Sequence, residues 1–291
     1  MESLSAQIGN YIDYLRIHLK MRVTVHSAPG AVLGESMGKL APYNIHSCAY
    51  CMQMKSNSDI WKECIERQRK VLEKLRDGEF FGICYLGVSE YVFPITIGSE
   101  IIGFVCVSGY RSSDDTSLAK IKKASSKFGL NFDSVRAAYY RELSSDIPSE
   151  KEVGTLIAPL ICMLKEFCGD EERATDKRLN GNSYVYGHIL EYINRNFAVK
   201  KISVDDIAKL CHCSPSHISH VFAKYCGKGI AEYTNDLRVS YAKEFLSSTD
   251  MRIQEISEAV GFGDSNYFSN VFKKSVGMSP HKYRELHGKE K

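Results

Sequence analysis

The chain is predicted to be α+β in its amino-terminal part, a small antiparallel sheet with flanking helices, and all-α in its carboxy-terminal part. Three observations carry this prediction. Between positions 80 and 110, three apolar, β-prone runs follow one another, parted only by glycine-bearing turns. From 204 onward the apolar residues recur at helical spacing and the strand pattern stops. Finally, the pattern S-x-V-F-x-K-x-x-G occurs at 219–227 and again at 269–277, so the helical part contains a repeat.

The elements follow in order. Residues 1–22 read as an amphipathic helix, with Ile8, Ile12, Leu15 and Leu19 three to four apart. Residues 22–26 form a candidate first strand, closed by Pro29-Gly30. Residues 51–76 are mostly helical in pattern, with Ile65, Val71, Leu72 and Leu75 apolar, and Asp77-Gly78 ends them. The strand-like runs are 80–86, 91–97 and 100–110, separated by Gly87 and by Gly98-Ser99. Residues 117–128 and about 133–140 look helical. A longer helix over 147–167 carries the stripe Val153, Leu156, Ile157, Leu160, Ile161, Leu164 and Phe167, and Pro159 should kink it. The polar stretch 169–182 reads as a linker. The expected organisation is an α+β domain over 1–168, the linker, and an all-α domain over 183–291. Helices framing a small antiparallel sheet suit a sensor of PAS or GAF type.

A length of 291 residues fits two domains, each able to bury a core. Apolar content of 44% and charged content of 25% are ordinary for a globular protein. No run of about 18 apolar residues suggests a membrane span. Residues 1–20 lack an apolar core ahead of a cleavage site, so no signal peptide is expected and the location expected is cytoplasmic. The formal net charge is +3, and residues 183–291 hold 15 Lys and Arg against 12 Asp and Glu. The remainder balances, so the basic excess lies in the helical part, where it suits a few phosphate contacts. There is no P-loop, no GxGxxG run and no catalytic constellation, and an enzyme is not expected.

The repeat carries the functional reading. In its second copy Ile253, Ile256 and Val260 turn one face inward, and Gly261 and Gly263 give a tight turn. Asp264 or Ser265 is the N-cap, and Phe268, Val271 and Phe272 form the next apolar stripe. Ser265, Asn266, Tyr267, Ser269 and Asn270 lie between these anchors, suited to base edges, and Lys273 and Lys274 are placed for phosphates. The first copy has its apolar stretch at 204–210 and a turn one residue shorter. Lys224 and Arg238 are further phosphate candidates. A helix over about 230–247, with Leu237, Tyr241 and Leu246 apolar, joins the copies.

Residues 184–284 resemble the DNA-binding domain of the AraC family of transcription regulators. The matching features are Ile207-Ala208, Ser214-Pro215, Gly261-Phe262, Gly277-Met278-Ser279-Pro280 and Tyr283-Arg284. The resemblance covers about a third of the chain. It implies that the two outer helices enter successive major-groove segments on one face of the duplex, about 34 Å apart. It makes Ser216, Ser219 and His220 the base readers of the first copy, and Asn266, Tyr267, Ser269 and Asn270 those of the second. The positions of His220 and Asn270 are often arginine in that family, so the bidentate guanine contact is absent here.

Ten cysteines in a cytoplasmic chain do not point to structural disulfides. Cys162, Cys168, Cys211, Cys213 and Cys226 read as small core residues. The Cys48-x2-Cys51 spacing lets two thiolates share a metal, with Cys64 and Cys84 completing a tetrahedral set at about 2.3 Å. Zinc or an iron–sulfur cluster would then be the cofactor; buried or redox-sensitive thiols are the other reading. These positions also carry a second resemblance. Cys51, Cys64 ahead of a charged helix, Ile83-Cys84-Tyr85-Leu86-Gly87, Tyr91-Val92-Phe93-Pro94-Ile95 and Ile102-Gly103 are similar to the PocR sensory domain, over about 5–165. This implies a PAS-like sensor for a small organic molecule, diol-like or derived from a simple hydrocarbon. Where that family reads Cys-His-Ala-Gly, this chain has Cys84-Tyr85-Leu86-Gly87. A pocket between sheet and helices would be lined by Cys51, Trp61, Cys64, Cys84, Tyr85, Tyr91, Phe93 and Phe104, although such aromatics are more often plain core.

The leading expectation is a one-component regulator whose effector binds the DNA-competent state better than the other. Its partners would be a double-stranded operator, a small-molecule effector, a second copy of the chain and, for an activator, RNA polymerase. The helix over 147–167 is the natural transmitter and a candidate dimer face. A metal- or redox-responsive regulator using Cys48, Cys51, Cys64 and Cys84 is one alternative. A DNA-repair alkyl acceptor of the Ada type, with a metal-bound thiolate as nucleophile, is another; the absence of a second close cysteine pair speaks against it.

Overall fold

Alternating apolar residues and glycine turns build one four-stranded antiparallel sheet in the computed structural model. It describes residues 3–28, 40, 43–44, 46, 48–55, 57–112, 115–175, 181–198 and 201–288. The strands are β1 (Arg22–Ser27), β2 (Phe80–Ile83), β3 (Val88–Ile97) and β4 (Glu100–Arg111), in the order β1-β4-β3-β2. Gly87 and Gly98 turn the chain between strands at positive φ, 81° and 58°, a backbone region natural to glycine. β2 is shorter than the run 80–86, because the Cys84 and Gly87 amides close a turn on Val88 O and Cys84 O at 2.8 and 3.0 Å. Pro94 lies beyond the end of β2, whose pairing with β3 stops at Phe80↔Val92, so the proline sits on an open edge.

Register decides which side chains share a face. Thr24 opposes Cys106, His26 opposes Phe104, and Val92 opposes Cys106 in turn. The two-residue period therefore puts Thr24, His26, Val92, Phe104, Cys106 and Ser108 on one face. Val23, Val25, Tyr91, Phe93, Val105 and Val107 take the other.

Helices cover the sheet. α1 (Leu4–His18) is capped by Ser3, buries Ile8, Ile12 and Leu15, and packs on β1. α2 (Ala49–Lys55) precedes α3 (Ser58–Lys74), and a 3-10 turn over Leu75–Asp77 follows. Leu75 joins Val92, Phe104 and Cys106 in a core cluster that Val71 and Leu72 cover. α4 (Asp115–Phe128) and α5 (Phe132–Glu142) pack together, and Tyr139 of α5 donates to Gly87 O at 3.1 Å. α6 runs over Glu150–Thr175, opened by a reciprocal pair in which Ser149 N donates to Glu152 Oε2 at 2.8 Å and Glu152 N to Ser149 Oγ at 3.3 Å.

Two expectations change here. α6 continues through 169–175, part of the supposed linker, because Glu171, Glu172, Arg173 and Ala174 are good helix formers and no proline interrupts them. With α7 starting at Gly181, only 176–180 of that linker lie outside the described residues. Pro159 lies inside α6. The stripe of α6 is also divided: Val153, Ile157, Leu160 and Leu164 are buried with Cys168, whereas Leu156, Ile161 and Phe167 are only half-buried.

The chain forms two compact units. The first holds residues up to 28, 43–51 and 66–170; the second holds Leu40, 52–65 and the described residues from 171. The second is built from α7 (Gly181–Asn196), α8 (Val204–Leu210), α9 (Pro215–Cys226), α10 (Ile230–Ser248), α11 (Ile253–Ala259), α12 (Ser265–Val276) and α13 (Pro280–His287). α10 is its central rod, burying Ile230, Tyr233, Leu237, Tyr241, Phe245 and Leu246 among others around most of its circumference. Trp61, expected in the sensor pocket, belongs to this unit instead. It is 4% exposed, with ring centroids 4.8 Å from Phe197 and 4.6 Å from Tyr241. No helix among the described residues is long and apolar enough to cross a membrane.

Candidate nucleic-acid interface and sensor residues

The two helix-turn-helix copies turn by the same backbone device. At the end of α8, Cys213 N donates to Ala208 O at 2.9 Å and His212 holds φ 51°. At the end of α11, Phe262 N donates to Ser257 O at 2.9 Å and Gly261 holds φ 90°. Both are left-handed helix stops in which the amide two residues past the cap returns to the last turn. A Cβ on Gly261 would also stand 2.5 Å from Phe197 O and 2.8 Å from Ala198 C, so glycine is required there twice over. His212 fills the same slot in the first copy and bears the Cβ strain. The connections 211–214 and 260–264 then differ by one residue, as the sequence spacing implies.

Each outer helix is capped at both ends. Ser214 Oγ accepts from His217 N at 3.2 Å, and Asp264 Oδ1 accepts from Tyr267 N at 2.6 Å. Gly227 and Gly277 close the carboxy ends in the left-handed conformation. α9 buries Ile218, Val221 and Phe222; α12 buries Phe268 and Phe272. Helical periodicity therefore turns the intervening residues outward. Ser216, Ser219, His220 and Lys224 are exposed on α9, and Asn266, Tyr267, Asn270, Lys273 and Lys274 on α12.

Two of the expected DNA contacts are placed differently. Ser269 is half-buried, and its hydroxyl donates back to Ser265 O at 2.8 Å, so its donor is engaged along its own helix. Arg238 turns inward. It is 7% exposed, its Nε donates to Phe197 O at 2.8 Å, and its guanidinium stands 5.3 Å from the Phe262 ring. Burial lowers its pKa from the ordinary arginine value. It satisfies a carbonyl just past the end of α7, so its Nε is engaged within the fold. One contributor escaped the sequence reading: Asn235 Nδ2 donates to Tyr267 Oη at 3.2 Å, steadying a side chain that is 53% exposed. The two lie 32 residues apart with no local pattern joining them.

The expected sensor residues are divided between the two sheet faces and the two compact units. Tyr91 and Phe93 lie on the sheet face opposite Phe104. Tyr91 Oη donates to Pro148 O at 2.7 Å, and its ring packs 4.6 Å from Phe81. Tyr85 carries the Arg67 guanidinium 4.6 Å from its ring centre. Trp61 and Cys64 belong to the other compact unit. The expected four-cysteine metal set is not assembled either. Cys48 Sγ accepts from the Cys51 amide at 3.2 Å, a capping role at the start of α2. None of the ten cysteines forms a disulfide. Among the described residues, the group within metal-binding reach is His26, His46 and Cys106.

Two family profiles match the chain: a helix-turn-helix domain over 207–286, and the sensory domain found in PocR over 32–159. An uncharacterized HTH-type transcriptional regulator of Escherichia coli, YijO, is 26% identical over 66% of this chain and 65% of its own length. The bifunctional transcriptional activator/DNA repair enzyme AdaA of Bacillus subtilis is 37% identical, over 34% of this chain and 46% of its own. The regulatory protein PocR of Salmonella typhimurium is 23% identical over 69% of this chain and 70% of its own. The chain thus spans less than two thirds of the first two of these relatives.

Proposed function

We propose that this chain, which belongs to the AraC-type helix-turn-helix regulators and carries a PocR-type sensory domain, is a sequence-specific DNA-binding transcription regulator. The observation that carries the reading is the pair of outer helices, set by the same left-handed turn, each presenting short polar side chains flanked by lysine. Ser216, Ser219 and His220 on α9 and Asn266, Tyr267 and Asn270 on α12 are the base readers. Lys224, Lys273 and Lys274 hold the phosphates. With no arginine in the set, sequence preference rests on amide, hydroxyl and imidazole contacts, with adenine the natural partner of Asn270.

A small organic effector bound in the first unit would shift the equilibrium toward one DNA-binding state. α6 is the proposed transmitter, and its half-buried Leu156, Ile161 and Phe167 are the proposed dimer contact. RNA polymerase is a further partner if the effect is activation. An alkyl-acceptor reading has less support, since Cys48, Cys51, Cys64 and Cys84 form no metal-ligand group among the described residues. The test is selection of binding sites by the full-length chain from a pool of random duplexes. A recurrent two-part motif is expected; a pool that stays random through repeated rounds would refute the proposal.

A further inference from the structure

Three metal-binding side chains meet at one point in the first unit. Pairing sets Thr24 against Cys106 and Arg22 against Ser108, so Thr24, His26, Cys106 and Ser108 share a face of β1 and β4. His46, from the segment ahead of α2, reaches the same place. The ligand atoms of His26, His46 and Cys106 lie within 4.8 Å of one another, and the two Nε2 atoms stand 3.3 Å apart. A tetrahedral zinc ion with Zn–N bonds of about 2.05 Å holds its nitrogens about 3.3 Å apart. The histidine pair is already at that spacing.

The surroundings fit as well. The side-chain amide of Gln68 lies 3.3 Å from His26 Nδ1, and Ser108 Oγ lies 3.4 Å from His46 Nδ1. Each ring is thus held at Nδ1 while Nε2 points inward, the arrangement that fixes a metal-binding tautomer. It requires the Gln68 amide oxygen to face His26, an orientation interchangeable with its nitrogen. His26 and Cys106 are 4% and 3% exposed, and the His26 ring stacks 4.7 Å from Phe104. His46 is half-buried, so the cluster is dry on the sheet side and reachable from the other.

We propose that His26 Nε2, His46 Nε2 and Cys106 Sγ bind one zinc-class divalent ion and leave its fourth position to an exogenous donor atom. On binding, the Cys106 S–H bond breaks, the sulfur–metal bond forms and the proton leaves to solvent. Thr24 Oγ1 hydrogen-bonds His26 Nε2 at 3.0 Å, and metal binding at that nitrogen exchanges this bond for the metal–nitrogen bond. Ion binding stands by itself. Only the use of that fourth position to anchor an effector oxygen or nitrogen rests on the sensor reading above.

The full-length chain, stripped by a chelator under reducing conditions and titrated with Co2+, tests the site. One ion per chain is expected, with thiolate-to-cobalt charge transfer and the visible bands of a four-coordinate centre. Cys106→Ser should abolish the charge-transfer band, whereas Cys48→Ser and Cys51→Ser should keep it. His46→Gln, at the half-exposed rim, should weaken Zn2+ by at least about tenfold while the metal-free thermal midpoint stays put, which separates ligand loss from misfolding. No cobalt uptake by the unmodified chain, or a charge-transfer band that persists in Cys106→Ser, overturns the assignment. Because the readout is metal uptake, failure to select a DNA motif leaves this result unaffected.

Discussion

Arg238→Met separates a structural arginine from a DNA-binding one. The substitution keeps most of the side-chain length but removes the Nε donor that Phe197 O receives at 2.8 Å. A buried carbonyl left without its donor costs about 1–3 kcal/mol. Loss of the cation over Phe262 adds about 0.5–2 kcal/mol. Relief from burying a guanidinium offsets part of this, so a net loss of about 2–3 kcal/mol is expected. Trp61 is the only tryptophan in the sequence and packs against Phe197 in the same unit, so its emission during denaturant unfolding reads that loss directly. DNA affinity measured in parallel against salt should keep its slope, because each phosphate contact contributes about 0.9 to that slope and Arg238 makes none. Stability within about 0.5 kcal/mol of the parent, together with a slope reduced by about 0.9, would refute the inward placement.

Gly261→Ala is expected to lose about 2–4 kcal/mol through left-handed strain and overlap with the 197–198 backbone, whereas His212→Gly should be neutral to about 1 kcal/mol stabilising. Equal effects at the two positions in a chemical denaturation series would contradict the shared turn. Trp61→Ala should destabilise the helix-turn-helix unit by about 3–5 kcal/mol, followed by far-ultraviolet circular dichroism; an unchanged melt would remove Trp61 from that core. Lys273→Gln and Lys274→Gln, both exposed, should each lower the salt slope of DNA binding by about 0.9 and leave unfolding untouched. A lost affinity with an unchanged slope would speak for a role other than phosphate contact.

Local pattern made part of this molecule legible. Gly87 and Gly98 punctuate the sheet in the sequence as they do in space, and the repeated S-x-V-F-x-K-x-x-G spells the buried face of each outer helix. Caps were readable too, since Ser214-Pro215 and Asp264 are short-range signals. What failed depends on contacts distant in sequence. Trp61 sits among charged residues on α3, and nothing nearby announces that Phe197 and Tyr241 enclose it. Arg238 reads as one more basic residue until the carbonyl it binds, 41 positions away, is seen. His26, His46 and Cys106 have no motif spacing; they converge through strand register, which alternation alone leaves open. The cysteine pair 48/51 did have motif spacing, but Cys48 serves as a helix cap. The polar stretch 169–182 reads as a break, yet straight-chain charged residues also continue a helix, as α6 does to Thr175.

The central claim is that α9 and α12 read bases in two successive major-groove segments. Hydroxyl-radical and base-methylation footprinting of the full-length chain on its selected motif tests it most directly. The account predicts two protected patches on one face of the duplex, centred about 10 base pairs apart. His220→Ala should relax sequence preference only in the first patch, and Asn270→Ala only in the second. A single continuous patch, or variants that weaken all sequences alike without changing preference, would contradict it.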